Sequence, residues 1–192
     1  MRFYHIWEKM NKEEIHSIQH VRTQDWIHQV IIRHLIFSDL PHLEWNGEYR
    51  HLRQVYLNAY RNRNQGKNVL WVADLPKRGV IGQIFIQLNS SRKDLADGLY
   101  SAYLFAFRIK PDYRNSGLGT RLVSVVEKDL LKRNFHEINL NVAKTNESAI
   151  RLYERLGFKI VGSDAGEWTF RDHTDKLQHV IEPAWKMVKQ ID

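Results

Sequence analysis

From residue 99 to residue 130 the chain reads LYSAYLFAFRIKPDYRNSGLGTRLVSVVEKDL, and this stretch decides the fold. Leu99 to Ile109 is an apolar and aromatic run of the length and composition of a strand. By simple alternation Tyr103, Phe105, Phe107 and Ile109 share one face and Leu104 and Ala106 the other, so both faces are expected to be covered. Pro111 lacks an N–H and stops the strand. Polar residues with two glycines follow, and Leu118, Leu122, Val125, Val126 and Leu130 then recur at helical spacing to about Asn134. The order is strand, glycine turn, helix.

Downstream, Ile138, Leu140 and Val142 alternate as a second strand. Asn146 then opens a helix carrying Ala149, Ile150, Tyr153 and Leu156, which Gly157 closes. Phe158 to Val161, Trp168 to Arg171 and Gln178 to Ile181 read as short strands, the last two joined by the polar turn Asp172 to Lys176. The tail from Glu182 to Met187 is expected to close the sheet and bury Trp185. Upstream, Val69 to Ala73 and Val80 to Leu88 form antiparallel strands around the turn Pro76 to Gly79. Glu48 to Tyr60 reads as a helix whose polar tail ends at Gly66. Gln29 to Leu35 reads as a strand, and Ser38, Asp39 and Pro41 as a helix start leading into Leu43 and Trp45. Trp7, Met10, Ile15, Ile18 and Val21 recur at loosely helical spacing. The expected organisation is therefore a helical N-terminal extension over 1–26 and one α/β domain over 27–192, with a mixed central β-sheet flanked by helices.

The chain's 192 residues fit one domain, and 43% apolar residues with only 4 prolines argue for one sizeable core against disorder. The best apolar run, Val30 to Phe37, is broken by Arg33 and His34, which excludes a membrane span there. Arg2, His5, Glu8 and Lys9 leave no secretory signal at the N-terminus, so the expected setting is cytoplasmic with no membrane partner. The chain has no cysteine, which removes thiolate metal sites and thiol nucleophiles. A net charge of +7 favours an anionic partner such as a phosphorylated cofactor or nucleic acid.

Arg114-Asn115-Ser116-Gly117-Leu118-Gly119-Thr120 lies between a strand end and a helix start, where unpaired N–H groups and the helix dipole favour phosphate. Gly117 and Gly119 permit a tight bend and close approach to the amides, and Arg114 can add a charge-assisted hydrogen bond. A P-loop needs Gly-Lys-Ser/Thr, and the dinucleotide fingerprint needs a third glycine where this chain has Leu122, so neither fits. The plainer alternative is a glycine helix cap.

Arg114-x-x-Gly117-x-Gly119, preceded by Ile109-x-Pro111, resembles the acetyl-CoA pyrophosphate loop of the GNAT superfamily of N-acetyltransferases. Asn146-x-x-Ala149-x-x-x-Tyr153-x-x-x-Gly157-Phe158 resembles the same superfamily's helix beside the cofactor thiol. The resemblance covers about 105–158, with compatible element order from about 29 onward. It implies acetyl-CoA as cosubstrate, with no metal. Its pantetheine would pair with the backbone of Phe107, Arg108 and Ile109, and its pyrophosphate would meet the amides from Asn115 through Ser116, Gly117, Leu118 and Gly119 to Thr120. Asn146 would contact the cofactor, Ala149 would be a close-packing position, and Tyr153 would stand near the sulfur as the catalytic acid.

The implied activity is direct transfer of acetyl to a primary amine in a ternary complex, the acceptor being a protein N-terminus, a lysine or a small amine. Such a reaction needs a base, an oxyanion donor and an acid. The donor would be an N–H near Phe107. No carboxylate lies between Tyr103 and Ile109, and the next strand offers Asn139 and Asn141. Glu44, Glu48 and Glu167 acting through water, or an already neutral amine, remain as alternatives for the base. The missing strand carboxylate also keeps open a non-catalytic acyl-CoA sensor or nucleic-acid module on the same fold. A homodimer is compatible with the resemblance.

His16-x-x-x-His20 lacks the glutamate and third ligand of a zinc site. His173 and His179 flank a hairpin turn and read as structural. Tyr49, Arg50, His51, Arg53, Tyr56, Tyr60 and Arg61 interleave bases and rings, and read as the wet edge of an amphipathic helix rather than as a nucleic-acid surface; the resemblance implies that this region shapes the acceptor pocket.

Overall fold

The computed structural model describes residues 25–192. The expected N-terminal helix and the pair His16 and His20 lie outside the described residues. The strands are β1 (Ile31–His34), β2 (Asn68–Leu75), β3 (Gly79–Gln87), β4 (Ser101–Ile109), β5 (Glu137–Ala143), β6 (Lys159–Asp164), β7 (Glu167–Arg171), β8 (Leu177–Ile181) and β9 (Ala184–Gln190). The helices are α1 (Arg53–Asn64), α2 (Leu118–Lys132) and α3 (Glu147–Arg155). Seven strands form one sheet in the order β1-β2-β3-β4-β5-β9-β6, and β7 pairs with β8 in a separate hairpin. Only β4 and β5 run parallel; every other pair is antiparallel. The sheet is mixed and the fold is α/β, as the sequence implies.

Two apolar layers sit on opposite faces of this sheet, because alternate residues of β2 divide between them. Val69, Ala73 and Leu75 join the layer beneath α2 and α3, and Leu70 and Val72 join the layer beneath α1. On α2, Leu118, Leu122, Val126 and Leu130 are buried at four-residue spacing, each contributing about 1.5–3 kcal/mol. Val123, rather than the expected Val125, completes that stripe.

The segment before α1 departs from expectation. Phe37–Gly47 is 3-10 rather than α-helical, with Trp45 and Asn46 at φ 45° and 59°, and Gly47 at 105°. Asp39 fixes its start: the carboxylate accepts from the Ile36 N–H at 2.9 Å and from Arg33 at 2.7 and 2.9 Å. Arg33 also donates to Asp74 of β2, so one guanidinium ties three segments. A 3-10 turn, Arg50–Leu52, precedes α1, which begins later than the sequence suggests and runs to Asn64.

The tail also differs in placement. β9 inserts between β5 and β6 instead of closing an edge, with Met187 fully buried. Trp185 is only half-buried, beneath the Lys144 ammonium 4.1 Å from its ring. The hairpin β7–β8 folds toward α1, with Phe170 and His51 ring centroids 6.2 Å apart.

Candidate active site

The middle of the sheet is split. β4 and β5 pair only at Ser101 with Glu137, Ala102 with Ile138 and Tyr103 with Asn139. Beyond Tyr103 the two strands separate, leaving the β4 edge from Leu104 to Ile109 without a neighbouring strand on that side. An exposed edge of unpaired backbone groups is a template for an extended guest.

A bulge shapes that edge. Phe105 pairs with Phe85 but Arg108 with Gln83, so β4 holds one residue more than β3 across this interval. Ala106 takes the strain at φ 49°. The bulge re-phases the strand and corrects the simple alternation: Leu104, Phe107 and Ile109 face the α2 layer, while Phe105 and Ala106 face the α1 layer.

The glycine turn lies at the end of β4, after the 3-10 turn Pro111–Tyr113. Asn115 and Gly117 are both left-handed, at φ 56° and 84°. Among the described residues the N–H groups of Asn115, Ser116, Gly117, Gly119 and Thr120 have no protein acceptor, and the first turn of α2 closes only with Arg121 donating to the Gly117 carbonyl. The Leu118 N–H makes a long contact, 3.4 Å, to the Ser116 hydroxyl, which itself donates to the Tyr113 carbonyl. Such a cluster of N–H groups at a helix start suits phosphate oxygens. Arg114 donates through Nε to the Ile109 carbonyl at 2.8 Å, which pins its stem and leaves both terminal nitrogens without a partner among the described residues.

α3 brings a phenol to the split. Asn146 caps the helix, its Oδ1 accepting from the Ala149 N–H at 3.2 Å. Seven residues on, Tyr153 is 8% exposed, with its ring centroid 6.3 Å from Phe107 and 5.5 Å from Phe158. Its hydroxyl has no hydrogen-bond partner among the described residues. Burial, helped by the neighbouring Tyr103 hydroxyl and opposed by Arg108, pushes its pKa well above the ordinary tyrosine range. Tyr153 is thus a protonated donor at the wall of the opening. Ala149 is half-buried against the same layer.

On the opposite face, Arg108 donates to the Tyr56 hydroxyl at 2.9 Å and lies 4.4 Å above the Tyr49 ring. Gln83, its ladder partner, is fully buried, and among the described residues both polar ends of its side chain lack hydrogen-bond partners. Leaving such a group unsatisfied costs about 1–3 kcal/mol. Nearby, Glu44, Trp45, Arg50, Arg53 and Lys110 help line a pocket of about 380 Å³. The Arg108 and Gln83 side chains escape sequence reading because the bulge alone sends Arg108 to this face.

Two of the three carboxylates weighed as bases, Glu44 and Glu167, are engaged elsewhere, and Glu48 makes no ion pair among the described residues. Glu44 receives both Arg53 donors at 2.5 and 2.8 Å, and this pairing holds its carboxyl below the usual range. Glu167 meets His179 at 2.8 Å on the hairpin. Asn139 donates to the Leu95 carbonyl and to Glu137. Among the described residues no group of three or more His, Asp or Glu side chains is arranged to hold a metal ion, and no helix is long and apolar enough to cross a membrane.

Comparison with known proteins agrees with this geometry. A profile of the Acetyltransferase (GNAT) family matches residues 15–158. The chain is 30% identical to N-alpha-acetyltransferase 50 of Danio rerio over 118 residues, 59% of this chain and 68% of that one. It is 42% identical to the [ribosomal protein bS18]-alanine N-acetyltransferase of Escherichia coli K12 over 60 residues, 31% of this chain and 40% of that one. Among solved structures, Arabidopsis thaliana NAA60 in complex with acetyl-CoA superposes with a TM-score of 0.65 at 22% identity, covering 84% of this chain and 98% of that one. Spermidine N-acetyltransferase of Vibrio cholerae with CoA and spermine gives 0.61 at 19%, covering 85% and 96%. The chain belongs to the acetyltransferase (GNAT) family.

Proposed function

We propose that this protein is a cytoplasmic N-acetyltransferase that moves acetyl from acetyl-CoA to a primary amine by direct attack in a ternary complex. The observation that carries the reading is the split between β4 and β5, which has an amide-lined turn at its end and a protonated Tyr153 at its wall. The acceptor class is a protein N-terminus, a lysine or a small amine, in line with relatives named for protein N-termini and for spermidine.

In this reading the free N–H groups from Asn115 to Thr120 hold the pyrophosphate, Arg114 adds charge, and the Phe107 to Ile109 edge holds the pantetheine by strand-like pairing. Asn146 keeps α3 in place and offers its amide N–H₂ to the cofactor. Bound acetyl-CoA supplies the thioester. The amine nitrogen bonds to the acetyl carbon as the carbon–sulfur bond breaks, and an N–H near Phe107 receives the negative charge that develops on the carbonyl oxygen. Tyr153 gives its proton to the sulfur, the amine's surplus proton passes to solvent, and solvent reprotonates Tyr153. Without a cysteine, no acetyl-thioester forms on the protein.

Calorimetry with acetyl-CoA and CoA, followed by thiol release with a panel of amines, tests the proposal. Binding with amine-dependent release supports it, and binding without release from any amine sinks it.

A further inference from the structure

The acceptor side of the opening carries an uncompensated positive charge. Arg108 is half-buried on β4, directly after the bulge. Its one hydrogen bond among the described residues goes to a neutral phenol, Tyr56, and its one face contact is to a neutral ring, Tyr49. Among the described residues its Nε and Nη2 have no acceptor and no carboxylate lies within ion-pair distance. A guanidinium taken partly out of water is costly to leave unpaired, and its planar fork matches a carboxylate with two parallel hydrogen bonds. The group is also held between two aromatic residues: Tyr56 is buried within the α1 layer, and the guanidinium carbon lies 4.4 Å above the Tyr49 ring.

A second observation concerns the same spot. Gln83, across the ladder from Arg108 and beside the Tyr56 hydroxyl, is fully buried, and neither end of its amide meets the geometry of a hydrogen bond among the described residues. An apolar residue would fill that volume without cost, so a polar cluster of Gln83, Tyr56 and Arg108 inside an otherwise apolar layer breaks the local packing rule where function is expected to break it. The rim adds to the charge, since Arg50 and Lys110 border the neighbouring pocket while Glu44 is neutralised by Arg53.

Resting on the N-acetyltransferase reading, we infer that the acceptor amine belongs to a molecule that carries a carboxylate close to that amine, and that Arg108 binds this carboxylate with Tyr56 as its positioning residue. The bulge at Ala106 is what delivers the side chain to the acceptor face. A polycationic acceptor meets like charge there. Two sources share the chemistry: a free amino acid, and a polypeptide whose first residue is Asp or Glu.

The test is acetyl-CoA-dependent thiol release by the full chain on matched amines. One arm sets β-alanine against β-alaninamide and alanine against alaninamide. The other sets tetrapeptides beginning with Asp or Glu against the same peptides beginning with Asn or Gln. Spermidine serves as the cationic probe. The expected result is a kcat/KM at least tenfold higher for the carboxylate member in one arm, and the arm that shows it identifies the source. Arg108→Gln, which changes the side chain and keeps the backbone that would pair with the pantetheine, should bring that ratio to near one. Tyr56→Phe should raise KM for the carboxylate member severalfold with little change in kcat, a split that general loosening of the layer would not produce. Equal or better turnover of the amides or spermidine overturns the inference while leaving the acetyltransferase reading intact. So does a preference that survives Arg108→Gln in a protein that binds acetyl-CoA normally. Thiol release from no amine at all overturns both.

Discussion

Phe107 lies against Gly119: a Cβ added at Gly119 would stand 3.4 Å from the Phe107 Cζ and 3.5 Å from the Ile109 Cδ1. The start of α2 therefore rests on the post-bulge part of β4, and the two glycines of the turn do different work. Gly117 faces open space but adopts φ 84°, whereas Gly119 has ordinary helical backbone and space for a Cβ in van der Waals contact but not for a longer side chain. Gly117→Val should cost about 1–2 kcal/mol of stability through left-handed strain, and Gly119→Leu about 1–3 kcal/mol through overpacking. Both should lose acetyl-CoA binding at least tenfold. Thermal unfolding and calorimetry on the two variants separate the causes, since Gly119→Ala should recover most of the stability and Gly117→Ala should not.

Tyr153→Phe should lower kcat at least tenfold with acetyl-CoA affinity unchanged. Its melting temperature should hold or rise, because the hydroxyl has no partner among the described residues to lose. The upward shift of the Tyr153 pKa has a definite sign in kinetics: the acid form persists, so kcat should not decline between about pH 7 and 9.5 through loss of this proton. An alkaline limb within that window, absent in Tyr153→Phe, would assign the phenol a lower pKa than its burial gives it.

The bulge makes a prediction of its own. Ala106 sits at φ 49°, a region that costs an L-residue about 1–2 kcal/mol and glycine almost nothing. Ala106→Gly should be neutral or slightly stabilising, and Ala106→Val should destabilise by about 2 kcal/mol. Deleting Ala106 should restore plain alternation, turn Phe107 and Arg108 to the wrong faces and abolish cofactor binding, as urea unfolding and calorimetry would register.

Asp172 links the β7–β8 hairpin to pH. Its carboxylate accepts from the Thr174 hydroxyl at 2.7 Å, the Thr174 N–H at 2.8 Å, the Lys176 N–H at 3.2 Å and Gln178 at 2.7 Å. These bonds, the Thr174 hydroxyl first, lower its pKa from 3.8 to about 2. A depressed carboxyl stabilises the fold above its unfolded pKa, and that contribution disappears as pH falls from about 4 through about 2. The stability advantage of the wild type over Asp172→Asn should be constant above pH 5 and shrink below pH 4. Fluorescence of Trp168, whose ring stacks on Phe170 with centroids 4.8 Å apart, should report the hairpin loosening in the same window.

The sequence by itself determined the element order from Gln29 onward, the glycine turn and the helix carrying Tyr153, because these rest on local rules. Pro111 cannot extend a strand, Gly117 alone takes the left-handed position without penalty, and four-residue apolar spacing makes α2 one-sided. Alternation misassigned β4 because it assumes unbroken pairing, and one extra residue at Ala106 exchanges the faces of everything after it. It likewise could not place β9 between β5 and β6, since the order of strands in a sheet is a matter of long-range pairing. Tertiary structure alone decided that β4 and β5 part after Tyr103 and that Glu44 is consumed by Arg53. It also decided that Arg108, unremarkable in the chain, stands beside Gln83 with no carboxylate partner among the described residues: burial and partnership belong to neighbours in space, which the order of residues does not name.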